Sequence, residues 1–272
     1  MKILITGSSG FLGRNIVKSL QNKHDIYFPS SNELDLTNAQ QVTTYLQTKY
    51  FDVVIHCAIK GGSRLQPDTS EIMYQNLSMF FHLMDNRDRF DKFFNFGSGA
   101  EFDRRKGICS EIYKRSIEKS FPIDYYGMSK NIISRIIRND KKAYNIRIYN
   151  VFGEDELNTR FIKSNIQRYI DGEDMVIHQN KLMDFFYIKD LITLVNYYIN
   201  YTSLPYDIDC SYDIKYSLYD IANIINNLTE KKVNIIIENK EMGNSYIGNP
   251  FYLPNGFIGL EEGIKNVYNK LI

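Results

Sequence analysis

Met1-Lys-Ile-Leu-Ile-Thr-Gly-Ser-Ser-Gly-Phe-Leu-Gly13 opens the chain. Lys2 to Thr6 is a short apolar run, rich in β-branched residues, that halts at a glycine, the pattern of a strand buried on both faces. From Phe11 the apolar positions Leu12, Ile16 and Leu20 recur at helical spacing, so a helix should follow at once. Between the two lie Gly7, Gly10 and Gly13, spaced G-x-x-G-x-x-G. Where a strand turns into a helix, such glycines permit the tight turn, let the backbone approach a pyrophosphate and let helix and strand pack closely. The N–H groups at the helix start then meet negative charge. Gly7, Ser9, Gly10, Phe11, Leu12 and Gly13 are therefore read as a dinucleotide site, the alternative being a tight turn without ligand.

The 272 residues suffice for one large domain or for a core with a smaller lobe. A formal charge of +1 gives no electrostatic reason to expect nucleic acid or a membrane surface as partner. No apolar run approaches the roughly 20 residues of a membrane span, and no leader is expected before the first strand. Cys57, Cys109 and Cys210 are few and widely spaced, which suits neither a disulfide framework nor a zinc site. A cytoplasmic protein without a metal is the expectation.

Along the chain, strands alternate with helices, which predicts a doubly wound parallel sheet of the α/β class. Asp25 to Pro29 reads as a second strand, followed by helices from about 38 to 48 and 70 to 84 and by strands at 51–58 and 92–96. The second strand's end should meet the adenosine ribose, where an acidic residue would bind a 2′-hydroxyl and repel a 2′-phosphate. Here Pro29-Ser30-Ser31-Asn32 holds no carboxylate before Glu33, and Arg14 lies just inside the first helix. This tilts the cofactor toward NADP, with NAD as the alternative and Ser30 equally readable as a plain loop residue. His56 sits inside a strand and is expected to be a hydrogen-bonded core residue. Lys60-Gly61-Gly62 follows at that strand's carboxyl end, where open α/β sheets bind ligands.

The strand at 92–96 runs into Gly97-Ser98, where Ser98 is readable as a catalytic hydroxyl or as a turn cap. Tyr126 and Lys130 stand at i, i+4 on one helical face. A nearby ammonium favours phenolate and tunes a tyrosine for proton transfer. With 21 tyrosines in the chain, a chance Tyr-x-x-x-Lys is common, so spacing alone does not decide.

Thr6-Gly-Ser-Ser-Gly-Phe-Leu-Gly13, Asp35-Leu36, Ser98 before Gly99-Ala100, Tyr126-x-x-x-Lys130 and Arg147-Ile-Tyr-Asn-Val-Phe-Gly153 occur in an order that resembles the extended short-chain dehydrogenase/reductase family. That family comprises nucleotide-sugar epimerases, dehydratases and reductases. Tyr216-Ser-Leu, Tyr246-Ile-Gly and Leu260-Glu-Glu-Gly263-Ile resemble its usual ending, so the likeness spans essentially the whole chain. It implies a Rossmann-type dinucleotide-binding domain over 1–150 and a smaller substrate lobe over 151–272, partly interleaved with the first. Tyr126 would be the general acid/base, Lys130 would assist it and bind the nicotinamide ribose, and Ser98 would bond the reacting oxygen. Asp35, Leu36 and Ala58 would line the cofactor. Lys60, Gly61, Gly99 and Asn150 would face a nucleotide-sugar substrate.

Leu34-Asp-Leu36, Ala58-x-Lys60-Gly61-Gly62 and Tyr74-Gln75-Asn76 look most like the GDP-fucose synthase and 4-keto-sugar reductase branch. Three departures narrow the expectation. Gly99 and Ala100 stand where dehydratases carry an acidic pair, with Glu101 one place too late. Ala100 and Arg160 stand where a cysteine and a histidine would epimerise C3 and C5. Met183-Asp184-Phe185 lacks the arginine that usually holds the diphosphate. Arg160, Lys163, Arg168 and Lys181 are substitutes, Arg160 and Arg168 sharing one face of an expected helix that is equally readable as a solvated basic face. The expected activity is reduction of a nucleotide-linked 4-keto(-6-deoxy) sugar, with C4 epimerisation on retained NAD as the alternative and a non-catalytic dinucleotide sensor as a third. Ile132, Ile133, Ile136 and Ile137 give the Tyr126 helix more apolar surface than one sheet face requires, so a homodimer is expected, with plain packing as its alternative.

Overall fold

A computed structural model describes residues 1–62, 67–108, 117–201 and 204–272. Cys109 lies outside the described residues; Cys57 is half-buried and Cys210 buried.

Lys2–Thr6 forms β1, and Ile3, Leu4 and Ile5 are wholly buried. It pairs in parallel with β2 (Asp25–Tyr27) on one side and β3 (Phe51–His56) on the other. With both faces covered, an unbroken β-branched run is what such a strand requires. Between them lie α1 (Phe11–Leu20), which turns Gly13, Ile16 and Leu20 inward, and α2 (Ala39–Gln47), capped by the Asn38 side chain accepting from Gln41 N at 3.0 Å. Next come α3 (Ser70–Met84), β4 (Phe90–Ser98), α4 (Tyr125–Ile137) and β5 (Ala143–Ile148). β4 runs past the expected 92–96 to include Gly97 and Ser98, and β2 stops two residues short of Pro29, whose ring removes a ladder donor.

The remaining elements are β6 (Val151–Phe152), α5 (Phe161–Asp171), β7 (Met175–Gln179), β8 (Phe186–Tyr187), α6 (Ile188–Asn200), β9 (Asp207–Cys210), α7 (Leu218–Asn226), β10 (Ile235–Asn239) and α8 (Leu260–Leu271). The central sheet has the order β2-β1-β3-β4-β5-β9, a Rossmann-like parallel sheet with flanking helices. β6 pairs with β8 and β7 with β10, both in parallel.

The chain divides into two compact units. The first takes the described residues of Met1–Asp103, Arg115–Arg147 and Tyr198–Ile208; the second takes those of Arg104–Lys114, Ile148–Tyr197 and Asp209–Ile272. The first unit's core is Leu4, Val54, Phe80, Phe93 and Ile133, drawn from sheet and helices alike. In the second, Asp190 accepts from Ile258 N at 2.8 Å, Gly259 N at 2.9 Å and Tyr212 Oη at 2.5 Å, fixing the entry to α8. No helix among the described residues is long and apolar enough to cross a membrane.

Candidate active site

The β1–α1 turn is built on Gly7, at φ +67°. A Cβ there would stand 2.5 Å from the backbone N of Ala58, so the turn and the end of β3 meet only because residue 7 has none. Gly10, the N-cap of α1, offers no side-chain acceptor to the helix, and the first turn carries no acidic residue. The unpaired N–H groups and positive dipole end of α1 thus stand beside a glycine cradle, which fits a dinucleotide pyrophosphate. Ser9 and Gly10 are exposed, and the Arg14 guanidinium lies 5.5 Å from the centre of the Phe11 ring. His56 is core: its Nδ1 is 2.8 Å from Thr6 Oγ1, and burial, then the charge of Lys130, pushes its pKa down to about 3.

The loop after β2 brings a carboxylate back to the strand's end. Glu33 folds back so that its Oε2 accepts from both the N and the Oγ of Ser30 at 2.8 Å. Those two bonds hold the exposed Glu33 carboxyl below its ordinary pKa. The charge missing from 29–32 is therefore supplied three residues downstream. Asp35 takes Thr37 N and Oγ1 at 2.9 and 2.7 Å, and the Leu36 side chain is buried in the core.

Ser98 ends β4 and caps a 3-10 turn, Gly99–Glu101. Its Oγ accepts from Ala100 N at 3.2 Å, and its N donates to Glu101 Oε1 at 3.0 Å. Tyr126 is the second residue of α4, whose N-cap Asp124 accepts from Gly127 N at 2.7 Å. Asn131, one turn further, donates to Glu101 O at 2.8 Å and ties α4 to the Ser98 turn. Lys130 is buried; its Nζ lies 5.9 Å from the Tyr126 ring centre and donates to Phe96 O at 2.6 Å. Burial lowers its pKa to about 8, against the pull of Glu101 and Cys57.

The loop after β3 reaches the same place. A methyl on Gly62 would lie 3.0 Å from Cε2 and Cζ of Tyr126, so the phenol end of that ring rests on this backbone. Asn76, buried on α3, grips Lys60 from both sides: Lys60 N donates to its Oδ1 at 2.9 Å, and its Nδ2 donates to Lys60 O at 3.0 Å. In the sequence Asn76 figures only in the Tyr74-Gln75-Asn76 likeness; an amide on the buried face of a helix beside a glycine loop is the signal that assigns it this tie.

In the second unit, Asn150 Nδ2 donates to Asp184 O at 2.9 Å. The Asp184 carboxylate accepts from Ser211 Oγ at 2.6 Å, Gly248 N at 2.7 Å and Lys215 Nζ at 3.0 Å, and Met183 is core. Arg160 and Arg168 do not share a helical face, because Arg160 is the residue before α5. Arg168 donates to Asp174 O at 3.3 Å and pairs with Glu173 at 3.6 Å, serving the helix's own C-terminal end. Lys163 donates to the carbonyls of Glu154 and Glu156.

A parallel sheet, flanking helices and a glycine cradle at the first strand–helix turn define a Rossmann-type dinucleotide-binding protein. The chain belongs to the NAD-dependent epimerase/dehydratase family, whose profile matches residues 3–206. It is 26% identical over 252 residues to the GDP-L-colitose synthase of Yersinia pseudotuberculosis, covering 83% of this chain and 81% of that protein. Its fold matches a GDP-mannoheptose C4 reductase of Campylobacter jejuni, solved with NADP, at a TM-score of 0.80 and 17% identity, covering 99% and 98% of the two chains. It matches the UDP-glucose 4-epimerase of Thermotoga maritima equally well, at 0.79 and 15% identity over 100% and 98%.

Proposed function

We propose that this protein is an NADPH-dependent reductase of a nucleotide-linked 4-keto(-6-deoxy) sugar, acting as a cytoplasmic homodimer. The observation that carries the reading is the joining of the Ser98 turn to α4 through Asn131 and Glu101, with Lys130 buried beneath the Tyr126 ring. A nicotinamide, when bound, supplies the hydride for C4 of the sugar. Tyr126 Oη gives its proton to the oxygen forming at that carbon, and Ser98 Oγ bonds the same oxygen. The Lys130 ammonium stabilises the charge left on Tyr126. Gly99 and Ala100 carry no group able to move a proton, and Glu101 is turned inward onto Arg147 at 2.8 Å, which supports reduction over dehydration. Asn150 and Arg160 remain the second unit's candidates for the sugar nucleotide, and the relative's name makes GDP the nucleotide to try first.

The C4 epimerase reading has one observation in its favour, the Glu33 carboxylate at Ser30, which would accept from a ribose 2′-hydroxyl and repel a 2′-phosphate. One experiment separates the two. The purified protein is denatured and any released nucleotide identified; the native protein is then given NADPH or NADH with GDP-4-keto-6-deoxymannose. Consumption of NADPH and an otherwise empty protein support the reductase. Released NAD with no net oxidation supports the epimerase.

A further inference from the structure

We infer that Glu101 and Arg147 are positioning residues for Ser98, a buried ion pair that holds the residue-98 amide and hydroxyl in their working place. The inference rests on the reductase reading for its kinetic test alone.

Ser-x-x-Glu is ordinary capping-box spacing, and a box at a helix start works with an exposed glutamate. Here the glutamate is 0% exposed. A carboxylate taken wholly from water needs a cation, and Arg147, itself buried, donates Nε to Glu101 Oε2 at 2.8 Å. The far side of that guanidinium donates to Asp207 at 2.6 Å, and its plane lies 5.0 Å from the centre of the Phe102 ring. Asn145 adds a bond to Glu101 Oε1 at 3.2 Å and accepts from Asn95 at 2.8 Å. The set closes on Gly97, where a Cβ would fall on the Glu101 carboxylate and 2.5 Å from Asn145 Oδ1. What leaves this enclosure is Glu101 Oε1 accepting the Ser98 N–H, with Ala100 N held on Ser98 Oγ by the same turn. A cap needs none of the burial. A hydroxyl that must be held to a fraction of an ångström does.

The test is a double-mutant cycle on the whole protein with NADPH and GDP-4-keto-6-deoxymannose. Glu101→Gln keeps the shape and an acceptor for Ser98 N while removing the charge that Arg147 holds. Expected are a kcat about tenfold lower, KM and NADPH affinity within about twofold, and no further loss when Glu101→Gln is added to Ser98→Ala. Losses that multiply, or an unchanged kcat with only a lower Tm, overturn the inference. Should Glu101→Gln not fold, Arg147→Lys, which keeps the buried cation but loses its fork, is put through the same cycle. If the wild-type chain turns over no keto sugar, the functional reading fails while the inference stays testable by hydrogen exchange. The Ser98 amide should exchange about a hundredfold faster in Arg147→Lys, with Phe94 in mid-strand unchanged. Equal protection of Ser98 in both proteins would overturn it.

Discussion

Lys130 is the residue where stability and activity pull apart. Its ammonium is buried, so its pKa falls from 10.5 to about 8, and it donates to Phe96 O at 2.6 Å. Below pH 8 the group is charged in both folded and unfolded chains, and the desolvation cost is fully present. The cost is relieved as pH rises from about 8 to 10.5, a span worth roughly 3 kcal/mol. Lys130→Met should therefore abolish turnover while raising the stability of the cofactor-free protein by about 1 kcal/mol, the orphaned Phe96 carbonyl offsetting the rest. A thermal melt beside an NADPH assay checks both; a Tm several degrees lower would show that the carbonyl tie dominates. His56 gives the same sign in a more acid window. Its folded pKa of about 3 lies below the unfolded 6.5, so the unfolded chain takes up a proton first on acidification. Stability should fall by about 1.4 kcal/mol per pH unit between 6.5 and 3. Urea melts at pH 7, 5 and 4 should show a shallower loss in His56→Asn. Of these residues, Ser98, Tyr126 and Lys130 stand out as candidates in the sequence because motif and order mark them. Glu101 was legible only as a spacing, because its partner Arg147 lies 46 residues away on a strand that pairs late. The fold-back of Glu33 onto Ser30 was hidden in the same way: a run of residues names its charges but not where a loop aims them.

At the scale of elements, α3 spans Ser70–Met84 as its periodicity predicts, since a long amphipathic helix repeats its signal four times. β6 and β8, two residues each, have no period to read. β4 hides a different feature. Lys92 stands in a strand with four phenylalanines, where burial would exclude it, and is 7% exposed. Its Nζ donates to the carbonyls of Tyr198, Ile199 and Tyr201 at 3.1, 2.9 and 2.9 Å, closing the end of α6. A cation at a helix C-terminus meets the carbonyls of the last turn and the negative end of the helix dipole. Lys92→Met fits the strand by shape but removes all three bonds. It should cost about 2–4 kcal/mol in urea denaturation, with NADPH affinity of the remaining folded protein unchanged. A neutral outcome would mean that the helix end finds water instead.

At the scale of the whole molecule, the parallel sheet follows from alternation of strands and helices, while the assembly state depends on what the helices show outward. α3 exposes Tyr74 at 66% and Phe81 at 40%, seven residues apart and so on one face. Leu77 lies between them, and on α4 Ile136 is only partly covered although it packs against the core. An aromatic and aliphatic stripe on two adjacent helices is more apolar surface than a solvated face of a monomer ordinarily carries. A second copy meeting it through a twofold axis would set four helices together, the same patch serving both sides. A stable contact of this kind buries on the order of 1,600 Å², an area two helices per subunit can supply. Light scattering should therefore return twice the 31.9 kDa of the chain. Tyr74→Glu with Phe81→Glu should return a single chain, since two buried carboxylates per subunit would face their own copies across the axis. Neither substituted position belongs to the glycine turn between β1 and α1, so the single-chain form should still bind NADPH. A wild-type protein that scatters as one chain would leave the stripe as plain surface and overturn the dimer.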